Sequence, residues 1–404
     1  MNGEIFPENQ DIDDLLDEAV EFEENILTMV DGIENVQVGR TANIADEEKQ
    51  IKEKYKRMIW KSFQMEEQIF EFLGNEKLPP QIQKLSGVLE FFKYFFDDEV
   101  MKLIVDESNL FSVQTSGEFG KTICNQELYK LLGICIMSSV HRVNNTRRYW
   151  SYATGNVVIQ KCMTQKLFEK IKSIIHFNNN DNMLPRDNES FDKLFKIRPF
   201  VELLLSKFKS VPKEKLLSVD EQMCSTKAKN SLRQYNPAKP NKWGYKLFAL
   251  SGISGFLYNF EIFSGAENKF RQLNEPNIGL SGNVVVRLTR DIPEQQNYQL
   301  YFDNYYTSVP LMIAMSKKGI QCIGTVRTNR IPNIKLTDMA KRPRGDAEEY
   351  VASVDGVDLR LVSWKDNKVV NILSTFAGIK PIQISTRFDR KKKKKVLKLS
   401  VLPL

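Results

Sequence analysis

The amino-acid sequence predicts an α/β fold that follows a helical region and precedes a smaller β-rich segment. Three observations support this prediction. Between residues 81 and 210, apolar residues recur at three-to-four spacing, which is typical of amphipathic helices. From Leu216 the pattern changes to short β-rich runs separated by helix-like stretches, as in a mixed sheet. After Arg330 the residues alternate as in a small antiparallel sheet.

The first ordered region is predicted to be a helical domain that begins near Gln81 and extends to residue 215. Its helical stretches include "VLEFFKYFFDDEVMKLIVDESNLF", "NQELYKLLGICIMSSV", "MTQKLFEKIKSIIHF" and "FVELLLSKF". The longest apolar run, "LYKLLGICIMSSV", falls short of the ~20 residues that cross a bilayer. We therefore expect no membrane association.

The α/β region is predicted to span residues 216–330. Its strand-like runs are "LLSVDEQM", "KWGYKLFALSG", "FLYNFEIFSG", "YQLYFD" and "QCIGTVRT", and the second and third are joined around "ISG" like a hairpin. "GLSGNVVVRLTRDI" offers Ser281 as a helix cap, although three valines make a helix less favourable there. "TSVPLMIAMSKKG" predicts a helix closed by Gly319.

Charge divides the chain further. Residues 1–50 carry a net charge of −13 and the remaining residues a net charge of +20. An acidic segment joined to a basic body indicates that the body binds a polyanion, although lysines also serve solubility alone. We predict five parts: a largely disordered acidic region 1–80, the helical domain 81–215, the α/β core 216–330, a β-rich insertion 331–386 and a basic tail 387–404.

The five cysteines contain no C-x-x-C pair and are accompanied by only two histidines. This composition argues against a disulfide framework and against a Cys/His zinc site. The candidate metal ligands are instead Asp220 and Asp303, each of which ends an apolar strand-like run. On neighbouring strands of an open α/β sheet the two acids would converge, and carboxylates suit Mg²⁺ or Mn²⁺. Taken singly, the context of either acid favours a cap or turn residue over a metal ligand.

Several motifs resemble the transposase domain of the piggyBac family. They are "DESNLF", "RRYWS", "KIRPF", "SVDEQM", "QYNPAKPNKWGYK", "YFDNYYTSVPL", "GTVRTNR" and "WKDNKVVNILST", in family order over roughly residues 85–390. The resemblance implies a ribonuclease-H-like core, a helical N-terminal DNA-binding and dimerisation domain, and a small β insertion subdomain. It also implies metal-dependent strand cleavage and transfer at TTAA sites by three aspartates. Asp220 and Asp303 stand at the first two of these positions.

The third aspartate has no clear counterpart. In the family it lies in a G-V-D motif that opens a helix after the β insertion. The "GVD" at Gly356–Asp358 lies in strand-like sequence before "WKDNKVV", so we interpret Asp358 as a surface or turn acid. Asp366 and Asp389 also stand in the wrong context. The sequence therefore predicts an incomplete site with weak or absent binding of Mg²⁺, and leaves enzymatic activity uncertain.

Basic residues mark the candidate DNA contacts. The segment 229–246 contains no acid and interleaves Tyr235, Trp243 and Tyr245 with five cations: Lys229, Arg233, Lys239, Lys242 and Lys246. Such a proline-stiffened loop suits phosphate contacts, or it is a solvated loop whose aromatic residues enter the core. Of the aromatic residues, we expect Trp243 in the core.

Two further basic groups lie outside this loop. Arg147 and Arg148 precede Trp150, so "RRYWS" either contacts phosphate or fixes the helical core. The strongest charge block is a candidate nuclear-localisation or nonspecific DNA-binding signal, or a solvated tail. It consists of Arg390, Lys391, Lys392, Lys393, Lys394 and Lys395.

Together these features predict a nuclear, piggyBac-transposase-derived protein that binds double-stranded DNA, is domesticated or truncated, and is catalytically impaired. One alternative is an active transposase whose third carboxylate is supplied elsewhere. Another is a chromatin-associated factor that binds nuclear proteins through its acidic N-terminus. A homodimer is consistent with the resemblance.

Overall fold

A computed structural model describes residues 53–66, 68–117, 120–188, 190–237, 239–265, 272 and 275–380, with the backbone of 383–389 and 394–400. The chain divides into two compact units. One is Leu78–Val211, and the other combines the described residues before and after it. The predicted five-part division is finer than this and stays a prediction.

The Leu78–Val211 unit is helical, as the apolar spacing predicts. Helix starts are fixed by side chains that accept backbone N–H groups, such as Asp97, whose carboxylate accepts from the Val100 N–H at 3.1 Å. The helices are α1 Pro80–Gln83, α2 Val88–Phe95, α3 Asp98–Ser116, α4 Asn125–Val140, α5 Val157–Cys162, α6 Gln165–Ile174 and α7 Arg198–Ser210. Met101 and Ile171 are fully buried in their shared core.

The second unit is built on a sheet of ten strands. These are β1 Lys61–Ser62, β2 Leu216–Ser225, β3 Gln234–Tyr235, β4 Trp243–Gly252, β5 Leu257–Ile262, β6 Gln299–Phe302, β7 Gln321–Thr325, β8 Ala347–Val354, β9 Val357–Lys365 and β10 Val369–Ser374. The order is β1-β8-β9-β10-β7-β6-β2-β4-β3, with β5 also paired to β4. The β2–β6 and β6–β7 pairs are parallel, and the other pairs are antiparallel. This confirms the predicted mixed sheet.

Two helices connect the central strands. Helix α8 (Leu280–Leu288) follows β5, and its valines are buried. The predicted Ser281 cap is wrong, because Gly279 occupies the cap position with a φ of +88°, a value that favours glycine. Helix α9 (Val309–Lys317) lies between β6 and β7 and is capped by Ser308, whose hydroxyl accepts from the Leu311 N–H at 3.4 Å.

The β-rich segment after β7 joins the same sheet. Strands β8 and β9 form a two-residue hairpin in which Asp355 and Gly356 both have positive φ, 53° and 78°. These values match a type I′ turn, for which Asp-Gly is a preferred pair. Asp358 is therefore the second residue of a strand rather than the start of a helix.

The ordered part of the chain is longer at both ends than the sequence predicts. The described residues before Gln81 contact the sheet unit: Lys61 pairs with Val351 in β1–β8, and the Phe72 and Tyr298 rings lie 5.0 Å apart. Residues 1–52 of the predicted acidic region lie outside the described residues. The predicted basic tail contains part of a two-stranded antiparallel sheet, β11 Gln383–Asp389 and β12 Lys394–Ser400.

Among the described residues, none of the helices is long and apolar enough to cross a membrane.

Candidate functional site

The two candidate aspartates lie side by side. In the parallel β2–β6 pair, Val219 stands next to Phe302, the last residue of β6, so Asp220 in β2 is matched with Asp303, the residue directly after β6. Neighbouring strands are about 4.8 Å apart, and residues at matched positions point to the same face. Both aspartates are exposed, whereas Val219 and Phe302 are buried on the opposite face. The predicted convergence of the two acids is present in the fold.

Asp303 is held by the turn that follows β6. Its Oδ1 accepts from the Tyr305 N–H at 2.9 Å, and its backbone oxygen accepts from the Thr307 hydroxyl at 2.7 Å. The carboxylate is open to solvent on one side, but surrounding protein desolvates it and raises its pKa, and the negative charge of Asp220 adds to this rise. The site therefore favours a positive charge between the two carboxylates.

A third carboxylate, that of Glu221, adds to the negative charge around Asp220 and Asp303. The sequence alone did not single out Glu221 as a candidate. It follows Asp220 on β2, so its side chain leaves the opposite face of the sheet. Burial raises the pKa of Glu221, and the charges of Asp220 and Asp303 also raise it, against the effect of Lys239. The alternation of buried Leu217 and Val219 is the signal that places Glu221 on the buried face.

Lys239 compensates part of the negative charge of these three carboxylates. Its Nζ lies 3.2 Å from Glu221 Oε1, and both side chains are partly shielded from solvent. Desolvation alone would lower the pKa of Lys239, but Glu221, Asp220 and Asp303 outweigh it and raise the pKa overall. The lysine therefore stays charged, and its contact with Glu221 ties the described residues between β3 and β4 to the acidic edge of the sheet.

Within the part of the chain whose side chains are described, no third ligand joins Asp220 and Asp303. Asp358 is half-buried in its hairpin, and Asp366 is paired with Arg344. Asp389 lies in β11, of which only the backbone is described. Among the side chains that the structure describes, no group of three or more His, Cys, Asp or Glu is arranged to hold a metal ion.

Two adjacent, exposed carboxylates still fit a hard divalent cation. Mg²⁺ commonly binds one or two carboxylates and completes its octahedral shell with water and substrate phosphate. Desolvation, and to a smaller extent the charge of Asp220, raises the pKa of Asp303, and a bound cation would offset both effects on the carboxylate. The donor set therefore suits a weakly held Mg²⁺ or Mn²⁺.

The basic loop differs in part from the prediction. Lys229 and Lys242 are exposed and Arg233 is half-buried. Lys246 is only 7% exposed, and its Nζ lies 5.2 Å from the Phe248 ring centroid and 5.0 Å from that of Tyr305. Lys246 is thus the least accessible of the five cations to an external phosphate, because it occupies one of the alternate positions of β4 that face the protein interior.

The prediction that Trp243 lies in the core is wrong. Its side chain is 46% exposed at the start of β4, because this position is in the outward phase of the strand. The Arg233 guanidinium carbon lies 4.0 Å from the Trp243 ring centroid, and the Tyr235 ring lies 4.8 Å away.

The other basic groups lie elsewhere. Arg147 and Arg148 are exposed in the 3₁₀ turn Thr146–Trp150, and Arg147 Nε donates to Glu169 at 2.8 Å. The Trp150 indole donates to the Met163 carbonyl at 2.7 Å and packs against the helical core, in line with the second of its two predicted roles. In the basic block, residues 390–393 lie outside the described residues, and Lys394 and Lys395 begin β12.

Comparison with known proteins defines the class. A family profile described as Transposase IS4 matches residues 89–399. The chain superimposes on a solved piggyBac transposase, the synaptic complex with hairpin DNA, with a TM-score of 0.63 and 21% identity. That match covers 79% of this chain and 66% of the other. The fold is therefore that of a ribonuclease-H-like transposase core, which confirms the predicted fold class.

Curated relatives narrow the assignment. The chain is 30% identical over 312 residues to PiggyBac transposable element-derived protein 3 of Homo sapiens, and 29% identical over 313 residues to PiggyBac transposable element-derived protein 2 of the same species. Each match covers 76% of this chain and 51% of the relative, so the chain spans about half the length of these relatives. The chain belongs to the piggyBac-type transposase family.

The raised pKa of Asp303 predicts a pH-dependent gain in stability for Asp303→Asn. A carboxyl with a higher pKa in the folded state stabilises the fold while protonated and loses that contribution as pH rises through the folded pKa. In metal-free buffer at pH 7, Asp303→Asn should unfold with a higher free energy than the natural protein. The gain should be at most about 1 kcal/mol, because solvent screens the exposed pair.

The gain should vanish as the pH falls below the ordinary aspartate value of 3.8, and denaturant titrations at several pH values measure it. Asp338→Asn is the matched control, because Asp338 Oδ1 also accepts a backbone N–H two residues ahead, from Ala340 at 3.0 Å. A lower stability of Asp303→Asn at pH 7 without metal would contradict the prediction.

Proposed function

We propose that this chain is a transposase-derived nuclear DNA-binding protein whose catalytic site retains two metal-binding carboxylates, Asp220 and Asp303. The observation that carries the proposal is their side-by-side position on two parallel strands, next to a basic loop that Lys239 ties to the same edge. Membership of the transposase family supports the same conclusion.

The carboxylates would hold Mg²⁺ or Mn²⁺ at the edge of the sheet. When bound, the cation polarises a phosphodiester and helps to generate an attacking hydroxide. Asp303 is kept in position by the Tyr305 N–H, so its orientation is set before any ligand arrives. The raised pKa of Asp303 means that cation binding and proton release are coupled.

Strand cleavage is proposed to be impaired. A two-metal mechanism needs carboxylates that bridge and hold both ions about 3.5–4 Å apart. The described side chains bring two acids to this edge, and Glu221 leaves the other face and is engaged by Lys239. One weakly held ion would bind phosphate without completing the machinery for in-line displacement.

The basic loop is proposed to bind DNA through phosphate. Lys229 and Lys242 are exposed, and the segment 229–246 contains no acid to neutralise them. The solved relative is a complex with hairpin DNA, which supports double-stranded DNA as the partner. Arg147 and Arg148 present a second exposed basic group on the helical unit, which we propose as the DNA-binding and dimerisation domain.

Two of the remaining proposals concern residues whose side chains the structure does not describe. The block Arg390–Lys395 would direct the protein to the nucleus. The acidic residues 1–50, with a net charge of −13, would recruit chromatin or other nuclear proteins. A homodimer is proposed from family membership alone.

Salt dependence tests the proposed DNA contacts. Each cation that neutralises a phosphate contributes about 0.9 to the slope of log affinity against log salt. We expect Lys229→Ala and Lys242→Ala each to reduce that slope by about 1 on duplex DNA of any sequence. The control is Lys317→Ala, because Lys317 lies on α9 and pairs with Asp355 at 3.3 Å. Fluorescence anisotropy at several salt concentrations measures the slopes, and affinity that is flat in salt would contradict the contacts.

Strand cleavage tests the incomplete site. With Mg²⁺ and DNA that carries TTAA-flanked transposon ends, we expect the protein to nick the DNA no faster than the background rate measured without protein. Clear nicking that Asp303→Ala abolishes and Asp338→Ala leaves intact would instead establish the alternative, an active transposase. That result would require a carboxylate from outside the described side chains.

A further inference from the structure

An exposed pair of aromatic rings stands at the base of the basic loop. Tyr235 and Trp243 are directly opposite each other in the β3–β4 ladder, and their ring centroids are 4.8 Å apart with planes at 50°. They remain 40% and 46% exposed. Two large aromatic rings that stay this exposed directly beside each other form a contiguous apolar patch, and such patches are candidates for binding surfaces.

Arg233 completes a cationic and aromatic surface. Its guanidinium carbon lies 4.0 Å from the Trp243 ring centroid, within range for a cation–π contact. Its Nη1 also donates to the Ala228 carbonyl at 3.4 Å, which restrains the side chain. Together with exposed Lys229 and Lys242, the surface combines two aromatic rings with three positive charges and no acid between residues 229 and 246.

This surface is connected to the acidic edge through the loop. The loop leaves β3 after Tyr235 and enters β4 at Trp243, and the Asn236 N–H donates to the Lys242 carbonyl at 2.7 Å across its base. Within the loop, Lys239 is paired with Glu221, which directly follows Asp220. The aromatic pair therefore stands at the base of the loop whose Lys239 is paired with Glu221 and experiences the charges of Asp220 and Asp303.

We propose that Trp243 and Tyr235 form a stacking platform for an unpaired nucleobase, while Arg233 and the loop lysines neutralise the adjacent phosphates. Phosphate contacts alone would not use the rings, and bases inside a duplex are already stacked on one another. An unpaired base has free faces, and stacking on aromatic residues accepts any base. This inference rests on the proposed DNA-binding function and adds to it the class of ligand: single-stranded or locally unpaired DNA.

Oligonucleotides that differ only in their bases test the platform. We would compare a fluorescein-labelled oligo-dT with an abasic oligonucleotide of equal length and phosphate number, at low salt, by anisotropy. The natural chain should prefer oligo-dT by about 5- to 100-fold for each stacked base. Trp243→Ala should reduce this preference toward one and leave the affinity for the abasic strand nearly unchanged. Trp243→Phe, which keeps a ring, should retain part of the preference.

Tyr152→Ala is the matched control, because Tyr152 is a fully exposed aromatic residue in the helical unit. Circular dichroism would establish that each variant is folded, and Trp243→Phe supplies a second reading if Trp243→Ala is unfolded. An undiminished oligo-dT preference in both Trp243 variants, or equal loss on both oligonucleotides, would overturn the platform. In either of these cases, salt-sensitive binding to both oligonucleotides would still support the proposed DNA-binding function. Absence of binding to duplex, oligo-dT and abasic strands alike would overturn both.

Discussion

The parallel pairing of β2 with β6 is the constraint on which the candidate site depends. It matches Val219 with Phe302 and so places Asp220 beside Asp303 at the next position. The aspartates come from strands that are distant in sequence, and only a parallel crossover brings both to one edge with their side chains on one face. A register slip of one residue would send one carboxylate to the opposite face and separate the pair.

Electrostatic balance around this edge links the acids to the basic loop. Three carboxylates crowd two adjacent strands, and desolvation and mutual repulsion raise the pKa of both Asp303 and Glu221. Lys239 offsets part of this charge from the loop, at 3.2 Å from Glu221. The same ion pair thus fixes the loop between β3 and β4, which carries Lys242 and joins Tyr235 to Trp243. Charge compensation at the site and presentation of the proposed DNA-binding surface therefore depend on one structural feature, the Lys239–Glu221 ion pair.

Local pattern was sufficient to predict the element types and the strand ends at which the two acids stand, whereas the choice of these acids as metal ligands came from the family resemblance. The hairpin around "ISG" and the strands that end at Asp220 and Asp303 follow from alternation and turn residues. The exposure of side chains in β4 was harder to predict, because it depends on which alternate residues of the strand face the core. Buried Phe248 places Lys246 on the buried face and Trp243 on the outer one, against the expectation from residue type alone. The early contacts of residues 53–77 depend on tertiary partners such as Tyr298, which no local pattern reveals.

Binding of Mn²⁺ followed by electron paramagnetic resonance tests most directly whether Asp220 and Asp303 act as one site. We expect a single weak site that either Asp220→Asn or Asp303→Asn abolishes and that Asp338→Asn leaves intact. Mn²⁺ binding at this site should weaken as Asp303 is protonated at lower pH. Mn²⁺ binding that survives both single substitutions unchanged would contradict the claim that the parallel strand pair builds a metal site.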